Sequence, residues 1–329
     1  KETIQDYDIV VNEFSLEKIK NLGIKAKSKY LKEPNCSFNL NFNELIDNIF
    51  SKPHKKLDDL CQINQAIALK GDKNLSLKYE NPNNKYYKLL DGRNINKYSI
   101  QWDGTYLDYN LKRIHSCKRK DIFETPEKLF FRRVSTNLIF TYDNEQYFAL
   151  NTLVVLNKKP GINISLKYIL AILNSELLNH IYSIKFKSTK NVFSEIQAHS
   201  VGFLPIIISN SVEVIETLVT LVDYLLVINK TNNLSSSEKE MQNSFFQQII
   251  DGITYELYFE EQLRSTNRDI IQYLKTLPKI SNKTSEAQKI NLISDIFNKL
   301  YDEKSPVRNN LFFMDTIVEI RIIKGLDKK

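Results

Sequence analysis

Two groups of basic residues in the middle of this sequence have the chemistry for binding nucleic acid. Guanidinium and carboxamide side chains match the hydrogen-bonding edges of guanine and adenine, whereas cationic side chains attract phosphate. The candidates for base edges are Arg132, Arg133 and Asn191, with the neighbouring Lys185, Lys187 and Lys190. The candidates for phosphate contact are Arg93, Lys97, Arg113, Lys118, Arg119 and Lys120. In a strand over 129–134, period two places Arg132 and Arg133 on opposite faces, so we expect only one to reach a given DNA surface.

The positive charge of the chain is confined to one segment. Residues 84–204 carry 18 Lys and Arg against 10 Asp and Glu, whereas the flanking segments are close to neutral. Tyr and Phe are interleaved with these basic residues, as on surfaces where phosphates attract cations and bases stack on rings. The excess is also within the range of an ordinary soluble surface. Charge alone therefore leaves open whether the segment binds nucleic acid.

Five stretches, in order along the chain, resemble the TaqI-like C-terminal specificity domain. They are 88–98 (KLLDGRNINKY), 126–134 (PEKLFFRRV), 147–156 (YFALNTLVVL), 168–178 (YILAILNSELL) and 203–206 (FLPI). The similarity is strongest over 57–208 and weaker over the tail. Each stretch is short, but the ordered series is fairly specific to the family.

The resemblance implies that this chain selects a DNA sequence for an enzyme. The family supplies target recognition to bacterial adenine-N6 DNA methyltransferases and to restriction–modification enzymes in which a methyltransferase is fused to an endonuclease. The implied partners are double-stranded DNA and an upstream methyltransferase domain or a separate methyltransferase subunit. The chain starts at Lys1 rather than Met, and we expect the part that binds S-adenosylmethionine, with Mg²⁺ if a nuclease is present, to lie outside it.

Catalytic patterns for such chemistry are missing from the sequence. The eight glycines are too far apart to form a glycine-rich cofactor turn, and the run 81–84 (NPNN) lacks the aromatic residue that would stack on a flipped base. The grouping 124–128 (ETPEK) contains the residue types of a nuclease site but is predicted to be a loop. The four histidines are isolated, which does not fit a zinc site. We predict no catalytic and no metal-binding residue in this chain.

Periodicity predicts an α+β fold. The resemblance implies a mixed β-sheet recognition domain over 57–208, after a linker segment over 1–56 and before a helical spacer or docking region over 209–329. Strands are predicted at 129–134, 138–142 and 147–156, and a long helix at 166–184. An antiparallel helix pair is predicted at 212–228 and 237–259, opened by a Ser237–Glu240 capping box, and a strand-like segment at 316–323. Truncation at residue 205 is expected to leave a folded domain.

Cysteine usage and hydropathy bear on the compartment. The three cysteines, Cys36, Cys61 and Cys117, are scattered and odd in number, which favours a reducing cytoplasm. No stretch reaches the roughly 18 uninterrupted apolar residues of a membrane span. We therefore predict a cytoplasmic protein without a membrane partner.

Two alternatives to a fused enzyme remain open from the residues. One is a stand-alone specificity subunit that pairs with a separate methyltransferase. The other is a protein-interaction scaffold whose basic surface binds no DNA. The upstream reading frame would separate the first from the fused enzyme, and a binding assay would separate the second.

Overall fold

The computed structural model describes residues 6–14, 19–31, 43–186, 195–281 and 283–326. The strands are β1 Asp8–Phe14, β2 Ile19–Ala26, β3 Lys55–Lys56, β4 Cys61–Gln65, β5 Ala68–Leu69, β6 Leu77–Lys78, β7 Tyr87–Leu90, β8 Ile95–Asn96, β9 Ser99–Ile100, β10 Tyr106–Leu107, β11 Ile114–Ser116, β12 Lys128–Arg132, β13 Phe140–Asp143, β14 Phe148–Ala149, β15 Leu153–Lys158 and β16 Pro205–Ile206. The helices are α1 Lys27–Leu31, α2 Glu44–Ser51, α3 Leu57–Leu60, α4 Leu166–Leu173, α5 Glu176–Lys185, α6 Ala198–Gly202, α7 Val212–Lys230, α8 Ser236–Tyr258, α9 Glu260–Ser265, α10 Glu286–Tyr301, α11 Pro306–Phe313 and α12 Val318–Lys324.

An antiparallel four-stranded sheet, in the order β13-β12-β15-β4, divides the apolar interior into two clusters. Because side chains alternate along a strand, Leu129 and Phe131 of β12 lie in a larger cluster and Phe130 lies in a smaller one. The next strand, β15, alternates in the same way. The sheet is therefore covered by apolar side chains on both faces.

The smaller cluster lies under a second sheet, in the order β14-β7-β10-β6. In this sheet β14 runs parallel to β7, and the other neighbours are antiparallel. Phe123 and Phe148 stack within the cluster, with ring centroids 4.8 Å apart. Strands of only two residues dominate here, so loops carry much of the chain in this part.

The larger cluster continues from the first sheet through the C-terminal helices. It includes Tyr168 of α4, Tyr224 of α7, Phe246 of α8 and Phe297 of α10. The pair α7–α8 is joined by residues 231–235, and α4 packs directly on α7. This arrangement confirms the predicted α+β class, mixed sheet and helix pair. One core joins the predicted segments 57–208 and 209–329. The bounds of the three predicted segments stay a prediction.

Four local predictions were wrong. The strand expected over 147–156 is interrupted by a turn at residues 151–152, so that β14 and β15 belong to different sheets. The helix expected over 166–184 breaks at Asn174–Ser175, where the Asn174 amide bonds to both the N–H and the carbonyl of Phe140, each at 3.0 Å. The capping box of α8 uses Ser235 and Glu238 rather than Ser237 and Glu240. The strand-like segment 316–323 forms a short 3-10 turn and then helix α12, which buries Ile320 and Ile323. β-Branched residues there pack at helical spacing, so packing overrides strand propensity.

Candidate nucleic-acid interface

A turn held by several hydrogen bonds follows β7 and presents the side chain of Arg93. The N–H of Gly92 donates to Asp91 Oδ1 at 2.5 Å and to Thr152 Oγ1 at 2.9 Å. A Cβ added to Gly92 would lie 3.3 Å from Thr152 Cβ, so this close approach favours glycine. Asn94 is buried and accepts from the N–H of Asp91 at 2.7 Å. The exposed residue Arg93 therefore stands on a fixed backbone.

The two arginines of the predicted base-reading group have different partners. Arg132, at the end of β12, donates to the carbonyl of Ile95 and to Asn96 Oδ1 at 3.2 Å. Arg133 donates through Nε to Glu195 Oε1 at 2.5 Å and through Nη1 to the carbonyl of Asn151 at 3.2 Å. Both guanidinium groups are therefore held by residues distant in sequence.

The structure describes the residues on either side of the predicted recognition loop. Lys185 ends α5, and its ammonium lies 4.4 Å from the centre of the Phe50 ring. Lys187, Lys190 and Asn191 lie outside the described residues. Past them, the N–H of Ile196 donates to the carbonyl of Arg133 at 2.7 Å. Ile196 and the arginine end of β12 therefore occupy one region of the molecule.

The run 118–120 carries cations with local partners. Lys118 is exposed. Arg119 pairs with Asp121 at 2.5 Å, and Lys120 pairs with Glu124 at 2.9 Å. Hydrogen bonding and the charge of Asp121 raise the pKa of Arg119, and hydrogen bonds with Tyr87 and Glu124 raise the pKa of Lys120. These side chains keep their positive charge and lie at the surface, where a phosphate can approach.

Three other predicted phosphate contacts have unequal access. Arg93 is 77% exposed in its side chain and lies 3.2 Å from Asp103. Arg113 donates to the carbonyl of Leu75 at 2.7 Å and lies 3.3 Å from Asp108, which ties two loops together. Lys97 donates inward to the carbonyl of Asn174 at 2.7 Å. Burial lowers the pKa of the Lys97 ammonium, and this inward position separates it from the exposed cations.

The candidates for base contact and the phosphate candidates of the run 118–120 are connected to opposite ends of β12. At its start, Lys128 donates to the carbonyl of Phe123 at 2.7 Å, and the N–H of Phe123 donates back to Lys120 at 3.0 Å. At its end is Arg132. Five residues of strand span roughly 13 Å between their first and last Cα atoms. The run 118–120 is thus connected through Phe123 to the start of this strand, and Arg132 stands at its end.

One exposed polar residue near the arginines was missed by sequence reasoning. Asn96 is exposed and accepts from Arg132. The sequence carries a signal for the turn that supports it, because Asp91 and Asn94 have the spacing of a side-chain-capped turn. It carries none for the contact with Arg132, which lies 36 residues away.

Neither metal sites nor membrane spans are evident in the described ranges. Across them, His, Cys, Asp and Glu side chains do not gather in groups of three or more that could hold an ion. In the same part of the chain, the helices are too short or too polar to cross a bilayer.

Comparison with known proteins gives two matches. Residues 87–206 match the family model of the TaqI-like C-terminal specificity domain. Over 247 residues the chain is 28% identical to a protein of Methanocaldococcus jannaschii named as a type II restriction enzyme and methyltransferase. The alignment covers 71% of this chain and 20% of that protein, so this chain corresponds to about one fifth of its relative.

Proposed function

Since residues 87–206 form a TaqI-like C-terminal specificity domain, we propose that this chain is the sequence-specific DNA-recognition region of a restriction–modification enzyme. The observation that carries the proposal is the family match over the segment that holds the excess positive charge. The name of the relative supports a parent that joins a methyltransferase to a restriction enzyme. We propose adenine-N6 as the methylated position and the cytoplasm as the place of action.

In this proposal the chain selects the site and its parent performs the chemistry. S-adenosylmethionine would bind the methyltransferase part, and Mg²⁺ would bind a nuclease if one is present. We assign neither group to this chain, because its glycines stand singly in the sequence and the acidic residues in the described ranges form no metal cluster. No step of the reaction is therefore assigned to them.

The geometry supports a division of labour between the two ends of β12. We propose that the arginine end, with Arg133 and the segment 185–191, faces the bases, while Lys118, Arg119 and Lys120 contact phosphates. In such an arrangement one group enters the major groove while the other contacts the flanking phosphate backbone.

The test is a titration of the 329-residue chain with duplex DNA over a range of salt concentrations. If ~4–6 phosphates are neutralised, the logarithm of affinity should fall against the logarithm of salt with a slope of about −4 to −5. Fluorescence anisotropy with a labelled duplex gives the slope directly. Affinity that stays level between low and physiological salt would favour the protein-interaction scaffold instead.

A further inference from the structure

We propose that Asn96 is a specificity-determining residue that reads a guanine, and that Arg132 acts as its positioning residue. This inference rests on the proposed function of DNA recognition and reassigns Arg132 from reading a base to orienting the residue that does. Its basis is the hairpin β8–β9 and the single guanidinium that braces it.

The hairpin places Asn96 at a fixed position on the surface. Asn96 pairs with Ser99 across a two-residue turn, and Tyr98 in that turn has a left-handed φ of +56°. Tyr98 itself is buried, which anchors the turn in the larger core. Behind the hairpin, Asn94 Nδ2 donates to the carbonyl of Gln101 at 3.0 Å. A side chain on such a support loses little conformational freedom when it binds.

Arg132 fixes which way the Asn96 amide points. A guanidinium has N–H donors and no acceptor, so the group that faces Arg132 at 3.2 Å must be the amide oxygen of Asn96. The amide nitrogen then points away from the arginine. Within the residues that the structure describes, no protein acceptor bonds to Asn96 Nδ2. An exposed pair of N–H donors results.

This orientation selects among bases. In the major groove, guanine offers the two acceptors N7 and O6, whereas adenine offers the N7 acceptor beside an N6 donor. An unconstrained asparagine reads adenine by using its oxygen and nitrogen together. Here the oxygen is turned toward Arg132, so the outward side of the amide presents the two N–H donors. Guanine is therefore the base that the constrained amide matches best.

The experiment is a selection from a randomised duplex library with the wild-type chain and with three variants. In the wild type we expect one position to favour guanine by about tenfold. Asn96→Asp keeps the acceptor that Arg132 holds but replaces the donors with a second acceptor, so guanine preference at that position should disappear and cytosine, with its N4 donor, should gain. Asn96→Ala should flatten the preference there, whereas Arg132→Gln frees the amide and should shift the preference from guanine toward adenine. Preference at the other positions should persist.

Asn298→Asp is the matched control, because Asn298 is exposed on α10 and the change in charge is the same. It should leave the selected sequence unchanged. Thermal unfolding by circular dichroism checks that each variant is folded. If Asn96→Ala is misfolded, Asn96→Asp provides the test of the inference. A wild-type chain that selects no sequence overturns the proposed function and this inference together. A wild-type selection that persists in both Asn96 variants overturns only the inference. A preference that disappears in the Asn96 variants but persists in Arg132→Gln removes the positioning role.

Discussion

The recognition region, 57–208, and the helical region, 209–329, are held in shape by different interactions. In the first, single polar side chains bridge distant segments: Thr152 holds Gly92, and Asn174 holds Phe140. In the second, long helices begin at local caps, such as Ser235 for α8 and Ser285 for α10, and bury broad apolar faces.

This difference suggests why the candidate contact residues lie in the recognition region. Two-residue strands leave much of the backbone in turns, where side chains can be presented in many directions. Each turn then needs its own polar brace, because few regular backbone hydrogen bonds fix it. The helices provide apolar support for the same sheet through α4 and α7. If this is right, the two regions should respond very differently to substitution.

Removing the helical region should have the largest effect. A chain that ends at residue 208 loses α7 and α8, which cover α4 and α5 in the larger core. Tyr258 on α8 also donates to the carbonyl of Pro205 at 2.5 Å. We expect no cooperative thermal transition by circular dichroism, contrary to the expectation from the sequence. Deletion of residues 1–42 is the control and should leave the transition in place. A truncated protein that melts cooperatively would show that the recognition region folds alone.

Breaking one buried ion pair should have the next largest effect on stability. Lys128 and Asp143 lie 2.6 Å apart, and both side chains are fully buried. Lys128→Met leaves the carboxylate without its cation, which costs about 3–5 kcal/mol of the free energy of unfolding. Arg264→Met, which breaks an exposed pair with Glu260 on α9, should cost at most about 0.5 kcal/mol. Denaturant unfolding compares the two. Equal losses in the free energy of unfolding would contradict the expectation that the buried pair contributes more than the exposed pair.

The sequence predicts those parts of the fold that depend on local periodicity. The alternation of Phe130 and Phe131 on β12 and the apolar faces of α7 and α8 are read from spacing alone. Where the structure differs, a partner distant in sequence decides. Asn174 ends α4 because Phe140 is beside it, and packing makes a helix of residues 318–324.

The candidate site was predictable in residue type more than in role. Arg132 and Arg133 were found by chemistry, but their partners Asn96 and Glu195 are 36 and 62 residues away. Lys97 has a side chain of the type that contacts phosphate, yet its ammonium donates to the carbonyl of Asn174. Spacing along the chain carries no information on such non-local contacts. The assignment of DNA contacts therefore stays a prediction.

A pH effect should follow from Asp251 on α8. Burial, with the charge of Glu176, raises the pKa of Asp251 to about 7, against the opposing charge of Lys97. An unfolded chain has an Asp pKa of about 4, so between these values the folded state binds more protons. The free energy of unfolding should therefore fall as pH rises from about 4 to about 7.

Asp251→Asn removes this contribution. Relative to the wild type, the variant should gain on the order of 2 kcal/mol in the free energy of unfolding between pH 5 and pH 7.5. Glu256, whose pKa burial also raises to about 7, is present in both proteins, so its contribution cancels in the difference. Asp295→Asn on the exposed face of α10 is the control and should show no such gain. A difference between Asp251→Asn and wild type that does not change with pH would rule out this role for Asp251.

Substitutions in the run 118–120 should change stability least. Their effect should be on DNA binding. The ion pairs of this run with Asp121 and Glu124 are exposed, and such pairs contribute little to the free energy of unfolding. Changing Lys118, Arg119 and Lys120 together to Gln should therefore preserve the melting transition. The triple change also leaves up to three phosphates without a cation, so the salt slope should become shallower by about 1 for each such phosphate.

Phosphate contacts do not discriminate between sequences, so this triple variant should weaken selected and scrambled duplexes alike. Arg133→Gln should differ, with a loss of about 1–3 kcal/mol on the selected duplex and little on the scrambled one. Lys283, Lys299 and Lys304, which are exposed in the helical region, provide the matched triple change to Gln and should leave both affinities nearly unaltered. Titrations of both duplexes at two salt concentrations measure all three proteins. If the 118–120 variant changes which duplex is preferred while Arg133→Gln does not, the roles of the two ends of β12 are reversed, because discrimination must then lie with the exposed lysines and not with the braced arginine.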